Sequence, residues 1–109
     1  MTDTEFEALA DAVLAALETA FESSAPDATL ETKGTGVLEV EFDNGVKIVI
    51  NRHTAAREIW VAARSGGFHF RHDGSAWRDT RDGTELFAAL SKLASAQSGA
   101  PMLLHRNPD

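Results

Sequence analysis

From residue 3 to about residue 23 the apolar positions Phe6, Leu9, Val13, Leu17 and Phe21 fall three or four apart, the spacing of one buried stripe on a helix. Thr2 and Glu5 precede that run as a capping-box pair. Beyond Ser23, Ser24 and Pro26 the period falls to two. Leu38, Val40 and Phe42 alternate with Val37, Glu39 and Glu41, and Ile48 and Ile50 alternate with Lys47, Val49 and Asn51, as half-buried strands do. Asn44-Gly45 between them predicts a hairpin, because both residues tolerate the positive φ of a tight turn. Gly34-Thr35-Gly36, Ser65-Gly66-Gly67 and Asp73-Gly74-Ser75 predict turns of the same kind, with further strands over residues 58–63, residues 67–71 and about Trp77. Ile59, Val61, Phe68 and Phe70 then point to one side. A second helix follows: Asp82 and Glu85 read as another capping box, Leu86, Leu90 and Leu93 with Phe87 and Ala94 form its stripe, and Gly99 and Pro101 end it. The tail, residues 102–109, is expected to pack only through Met102, Leu103 and Leu104.

Helix, five or six antiparallel strands, helix, without a long crossover or an internal repeat, predicts an α+β two-layer sandwich over residues 1–109 as one domain. The N- and C-terminal helices pack on one face of the five- to six-stranded sheet, because Leu38, Val40, Ile48, Ile50, Ile59, Val61 and Phe70 need an apolar partner layer. The other face is left to solvent or to partners.

Composition narrows the chemistry. With 43% hydrophobic and 25% charged residues among 109, the chain is an ordinary globular sequence. It contains no cysteine, which excludes disulfides, thiolate ligands and a cysteine nucleophile. The acidic start has neither signal-peptide nor transit-peptide character, and no apolar run approaches the roughly 20 residues of a membrane span. The expectation is a soluble protein, bacterial and cytoplasmic or else a mature organellar form.

The charge is unevenly placed. The first 43 residues carry eleven acids against Lys33 alone, a balance of -10, whereas the rest carry six acids and nine bases, or +3. The total of -7 argues against nucleic acid, and the segregation implies one strongly negative face suited to metal cations or basic proteins. On the first helix Asp3, Glu7, Asp11, Glu18 and Glu22 fall on one side, and Asp27 and Glu31 extend the surface if the first strand lies beside that helix. Like charges four apart destabilise a helix by about 0.2–0.5 kcal/mol per pair, so helix stability does not account for them. A solvated face does. So does a surface of hard oxygen ligands for Fe²⁺, Fe³⁺, Mn²⁺, Ca²⁺ or Mg²⁺, whose binding would be weak and exchangeable because a rigid helix cannot close its carboxylates into a cage. No structural metal is expected.

On the outer sheet face the alternation places Val49, Asn51, Glu58, Trp60, Ala62, His69 and Arg71. Trp60 there is an interface anchor unless a twisted sheet edge or the tail covers it. His53, His69, His72 and His105 show no ligand spacing, and neither a nucleophile elbow nor a phosphate-binding glycine loop is present. Nothing in the pattern reads as an enzyme's active site.

Taken together, these residues resemble the frataxin family, most closely its bacterial CyaY-type members. The resemblance rests on Thr4-Glu5-Phe6 through Leu9-Ala10-Asp11, Gly36-Val37-Leu38 to Phe42, Asn44-Gly45 to Ile50-Asn51-Arg52, Ile59-Trp60-Val61-Ala62, Gly66-Gly67-Phe68-His69-Phe70, Trp77 and Asp82-Gly83-Thr84-Glu85-Leu86-Phe87. It implies a frataxin-like sandwich that binds iron (Fe²⁺/Fe³⁺) weakly and exchangeably on Asp3, Glu7, Asp11, Glu18, Glu22, Asp27 and Glu31. It also implies a non-catalytic regulator or iron donor in iron–sulfur cluster assembly, a monomer without iron, with neither nucleic acid nor membrane as partner. By the same resemblance the acidic ridge docks on the cysteine desulfurase, and the sheet face is presented to the scaffold protein. The partner-facing positions are Glu18, Glu22, Asn51, Arg52, Trp60 and His69. The ridge is thinner than in many relatives, with Ser23, Ser24, Ala25 and Ala28 in a stretch often richer in aspartate. The alternatives are an acidic docking module with incidental metal binding and a surface ferroxidase or iron-storage protein.

Overall fold

The computed structural model describes residues 1–106. Helix α1 spans Asp3–Ser24 and helix α2 Leu86–Ser98; between them lie β1 (Thr29–Thr32), β2 (Val37–Glu41), β3 (Lys47–His53), β4 (Glu58–Ala63), β5 (Gly66–His72) and β6 (Trp77–Asp79). The six strands form one antiparallel meander in chain order. A single 3-10 turn, η1 (Thr54–Ala56), joins β3 to β4. This is the α+β sandwich that the two periodicities predict, with the larger strand number. Among the described residues no helix is long and apolar enough to cross a membrane.

Helix α1 begins as its capping box dictates: Glu5 N–H donates to Thr2 Oγ1 at 3.1 Å and Thr2 N–H to Glu5 Oε1 at 2.8 Å. Its inner line is Phe6, Ala10, Val13, Leu14, Leu17, Ala20 and Phe21. Leu9, expected in the stripe, is 37% exposed on the flank; the small Ala10 and Ala20 take inner positions and let the helix lie close on the sheet. Leu38, Val40, Ile48, Ile50, Ile59, Val61 and Phe70 meet it from the sheet and are buried. The ring of Phe6 contacts Trp77 edge-on at 5.8 Å, which ties α1 to the last strand.

Several local expectations are corrected. The β2–β3 connection is a three-residue loop, Asp43, Asn44 and Gly45, closed by Phe42 N–H to Val46 O at 2.9 Å and Gly45 N–H to Phe42 O at 2.8 Å. Only Gly45 takes positive φ, +84°. Asn44 instead accepts Val46 N–H and donates Nδ2 to Gln97 O at 2.7 Å, fastening the hairpin to α2. At the β4–β5 turn Gly66 and Gly67 already belong to β5, leaving Arg64 and Ser65 as the turn. Asp82 and Glu85 are not a capping box: Asp82 accepts Thr84 N–H in an Asx turn at 2.9 Å, while Glu85 is itself the N-cap and takes Phe87 and Ala88 N–H at 2.8 and 3.2 Å. A glutamate is long enough to reach the open N–H groups of the first turn, and an isolated bridge between Arg78 and Glu85 holds its backbone extended.

The tail alternates as an extended chain must. Leu104 is buried and Met102 half-buried, but Leu103 points out at 72% exposure. Ser91 Oγ accepts Leu104 N–H at 2.8 Å and Ser95 Oγ accepts Met102 N–H at 2.8 Å. Four helical residues rise about 6 Å and two extended residues about 6.6 Å, so the two hydroxyls match the tail's repeat. Residues 107–109 of the expected tail lie outside the described residues.

Candidate functional site

The acidic edge of α1 divides into two parts. In its first half each carboxylate has a partner from the β3–η1 segment. Arg52 Nη1 donates to both oxygens of Asp11 at 2.8 and 2.9 Å, Thr54 Oγ1 donates to Glu7 at 3.1 Å, and Arg57 Nη2 donates to Asp3 at 2.6 Å. Glu7 and Glu18 are half-buried, not fully solvated. Glu18 faces the β1–β2 turn across a groove that Asp11, Thr32 and Gly34 also line, while Glu22 and Asp27 are exposed around the helix end. Glu31 belongs elsewhere. Its register partner is Glu39, and Leu30 pairs with the buried Val40, so the two-residue pleat turns Glu31 to the outer sheet face, away from the α1 edge. There Lys47 and Lys33 reach Glu39 at 3.0 and 3.1 Å and hold its carboxyl below the usual range. Among the described residues no three His, Cys, Asp or Glu side chains converge into a set that could hold a metal ion.

The outer sheet face carries a second constellation. Asn51, Trp60 and His69 stand side by side on β3, β4 and β5. Trp60 is half-buried on β4, an inner strand of the sheet. Its indole lies between two imidazoles, with His53 stacked at 3.9 Å and 14° and His69 at 4.6 Å and 10°. Beneath them sits Glu58, expected in solvent yet only 7% exposed. It accepts Trp60 Nε1–H at 2.8 Å and Arg71 Nε–H at 2.8 Å, and His69 Nδ1 lies 3.4 Å away. Burial pushes its carboxyl up, and the bonds from Arg71 and Trp60 with the nearby positive charge outweigh it, so the group sits below its ordinary value.

Of the residues expected to face partners, Asn51, Trp60 and His69 are brought together, and Glu18 and Glu22 lie apart from them on α1. Arg52 joins neither set. Strand parity turns it to the helix side, where it holds Asp11 and its side chain is 16% exposed. His53 was not expected beside Trp60. The available signal was strand parity, since extending Asn51 by two residues puts His53 on the same face. The η1 turn that fixes the pairing of His53 with Glu58 has no glycine, and Arg57 takes the left-handed conformation, φ 57°, in its place.

Two helices on one side of a six-stranded meander, a carboxylate edge on the first helix and an aromatic face behind define a frataxin-like sandwich. The family model described as the Frataxin-like domain matches residues 1–100. The chain is 54% identical over 104 residues to the iron–sulfur cluster assembly protein CyaY of Dechloromonas aromatica, covering 95% of this chain and 99% of that one. It is 51% identical over 108 residues to CyaY of Cupriavidus taiwanensis, covering 96% and 97%. The structure is similar to the frataxin of Psychromonas ingrahamii, with a TM-score of 0.87, 30% identity and coverage of 97% and 100%. It is also similar to the trimeric frataxin of Saccharomyces cerevisiae solved with ferrous iron, with a TM-score of 0.65, 26% identity and coverage of 87% and 86%. The chain belongs to the frataxin family.

Proposed function

We propose that this protein is a non-catalytic regulator and iron donor in iron–sulfur cluster assembly, acting as one frataxin-like domain in the bacterial cytoplasm. The observation that carries the reading is near-full-length similarity to CyaY proteins named for that process, on a chain whose helix edge is rich in carboxylates. Iron, the cargo, meets single carboxylates of that edge with water completing its shell, which makes binding weak and exchangeable. Glu18, Glu22 and Asp27 are the open positions. Asp3, Glu7 and Asp11 are reached only in competition with Arg57, Thr54 and Arg52, and Glu31 contributes from the outer sheet face. The edge docks on the cysteine desulfurase through Glu18 and Glu22, and the scaffold protein meets Asn51, Trp60 and His69.

The test is the sulfide-production rate of the cysteine desulfurase, with scaffold present, as the protein is added anaerobically with and without Fe²⁺. A saturable rate change that iron modulates is expected. No change in rate overturns the regulatory reading. A second reading, a docking module for basic partners with incidental metal binding, is favoured by the guanidinium groups already seated on Asp3 and Asp11. It predicts a rate effect that is lost in Glu18→Lys/Glu22→Lys but is indifferent to iron. A surface ferroxidase or storage protein would instead consume oxygen in proportion to the iron supplied.

A further inference from the structure

Both faces of the Trp60 indole are occupied, and the two rings that occupy them are held differently. His69 lies in the middle of β5, opposite Trp60 in the register, with Nδ1 3.4 Å from the Glu58 carboxylate. His53 stands at the end of β3 and stacks closer, at 3.9 Å against 4.6 Å. Its backbone is fixed by pairing with Glu58 and, one residue back, by Arg52 N–H to Gly36 O at 2.9 Å. Its imidazole is held far less. Besides the stack, the ring has one polar contact among the described residues: Nδ1 accepts Ala56 N–H at 3.3 Å as the N-cap of η1, a neutral bond of long geometry. Among the described residues no carboxylate reaches it. Glu58 Oε1 takes Trp60 Nε1–H and Oε2 takes Arg71 Nε–H, while Glu7 and Asp3 are engaged by Thr54 and Arg57. Trp60 in turn keeps its place without His53, because the bond to Glu58 at 2.8 Å and the stack on His69 both orient the indole. A partner approaching this face meets a fixed indole whose closer-covered side is shielded by one rotatable side chain.

We propose that His53 is an autoinhibitory cover on the docking face: its imidazole occupies the place on Trp60 that an uncharged ring of the scaffold protein takes on binding. Rotation of that one side chain opens the place, with no movement of β3. The identity of the partner rests on the docking reading above; the cover itself does not. The occupant is a ring because stacking is what both sides of the indole already support, at interplanar angles of 14° and 10°. It is uncharged because Arg71 already answers Glu58, the carboxylate beneath the indole, so the site offers a cation no net charge. Docking then exchanges one stack for another, and the scaffold is bound more weakly than a bare indole would bind it by the stack that His53 gives up. His53 is thus a specificity-determining residue: only a ring that stacks better than its own imidazole displaces it.

The experiment measures the affinity of the scaffold protein for the full chain by titration calorimetry, with two variants that separate the ring of His53 from its capping bond. His53→Asn keeps an acceptor for Ala56 N–H and removes the ring. It should bind the scaffold about two- to tenfold more tightly, the equivalent of one aromatic stack, and by the same factor at low and high salt. His53→Phe keeps a ring and removes the acceptor, and it should bind no more tightly than the parent. Before any partner is added, the Trp60 indole N–H resonance should shift in His53→Asn while that of the buried Trp77 stays in place, the sign of an uncovered ring in an intact fold. Equal affinity of the parent and His53→Asn overturns the cover and leaves the docking reading standing; no binding by any of the three overturns both. Tightening in His53→Phe as well also overturns the cover, because a loosened η1 turn, not a bare indole, would then be the cause. A gain that fades as salt rises overturns the uncharged ring as the occupant.

Discussion

Trp60 donates its indole N–H to Glu58 Oε1 at 2.8 Å, two residues back on the same face of β4. A strand residue and its second neighbour share a side of the sheet, so the pair forms with no contribution from a helix. The bond has two consequences. It uses the only hydrogen-bond donor of the indole, leaving partners its apolar edge, and it buries a carboxylate on the face that the helices do not cover.

Glu58→Ala should destabilise the fold by about 1–3 kcal/mol, because it leaves the indole N–H of the half-buried Trp60 without its acceptor. The pH dependence has a defined sign. The folded-state value lies below the ordinary 4.5, so the Glu58 contribution is complete above 4.5 and is lost as pH falls through the folded value. Urea unfolding at pH 7 and at pH 3 should therefore show a smaller acid-induced loss in Glu58→Gln than in the parent protein. Equal losses would mean that the charge on Glu58 contributes nothing.

Leu17→Ala and Ile50→Ala should each cost on the order of 2–5 kcal/mol, since both side chains are fully enclosed and truncation leaves a cavity. Trp60→Ala should cost less than either. What it forfeits is two ring stacks, worth about 0.5–1.5 kcal/mol each, and the bond to Glu58, which keeps Arg71 and gains access to water once the indole is gone. Comparing urea midpoints at constant slope decides the order. A Trp60→Ala loss as large as that of Ile50→Ala would make the indole a structural element and remove it from the partner surface.

The sandwich was legible because Leu38, Val40, Ile48, Ile50, Ile59 and Val61, alternate positions of β2, β3 and β4, are all aliphatic, whereas most positions between and beside them, Glu39, Glu41, Lys47, Asn51 and Trp60, are not. Two periods then suffice to assign helix, strand and shared face. The site was less legible for a reason of the same kind. Periodicity tells which side a residue faces, but not what reaches it from another element. Asp11 reads as a free carboxylate until Arg52 arrives from 41 residues away. Glu58 reads as solvent-facing until Trp60 and Arg71 close over it. Glu31 shows the reverse failure: its side of the strand could be settled only by the pairing of β1 with β2.

Gly36→Ala should loosen the Arg52 anchor. Gly36 has φ +84°, and a Cβ there would stand 2.6 Å from Arg52 Cγ. The left-handed conformation alone costs a residue with a side chain about 1–2 kcal/mol, and the clash adds to it by driving Arg52 off Asp11. The expected result is a lower melting temperature together with faster exchange of the Arg52 guanidinium protons. Unchanged exchange would show that the arginine can shift without releasing the carboxylate.

The tail is where two small hydroxyls decide a packing. Ser91 Oγ donates to Phe87 O at 2.7 Å within α2 and accepts Leu104 N–H at 2.8 Å, while Ser95 Oγ accepts Met102 N–H and donates to Met102 O at 3.0 Å. Each serine satisfies backbone groups that would otherwise be stranded against apolar side chains, and Leu104 fills the space between them. Ser91→Ala should cost about 1–3 kcal/mol through the orphaned Leu104 N–H, and Leu104→Ala about 2–5 kcal/mol through its cavity. The two losses should not add, because either change frees the same strap and the double variant loses it only once. A double-mutant cycle by urea unfolding measures this directly. Additive losses would mean that the hydroxyl and the leucine hold the tail independently, and that the match between the helical and extended repeats is not what seats it.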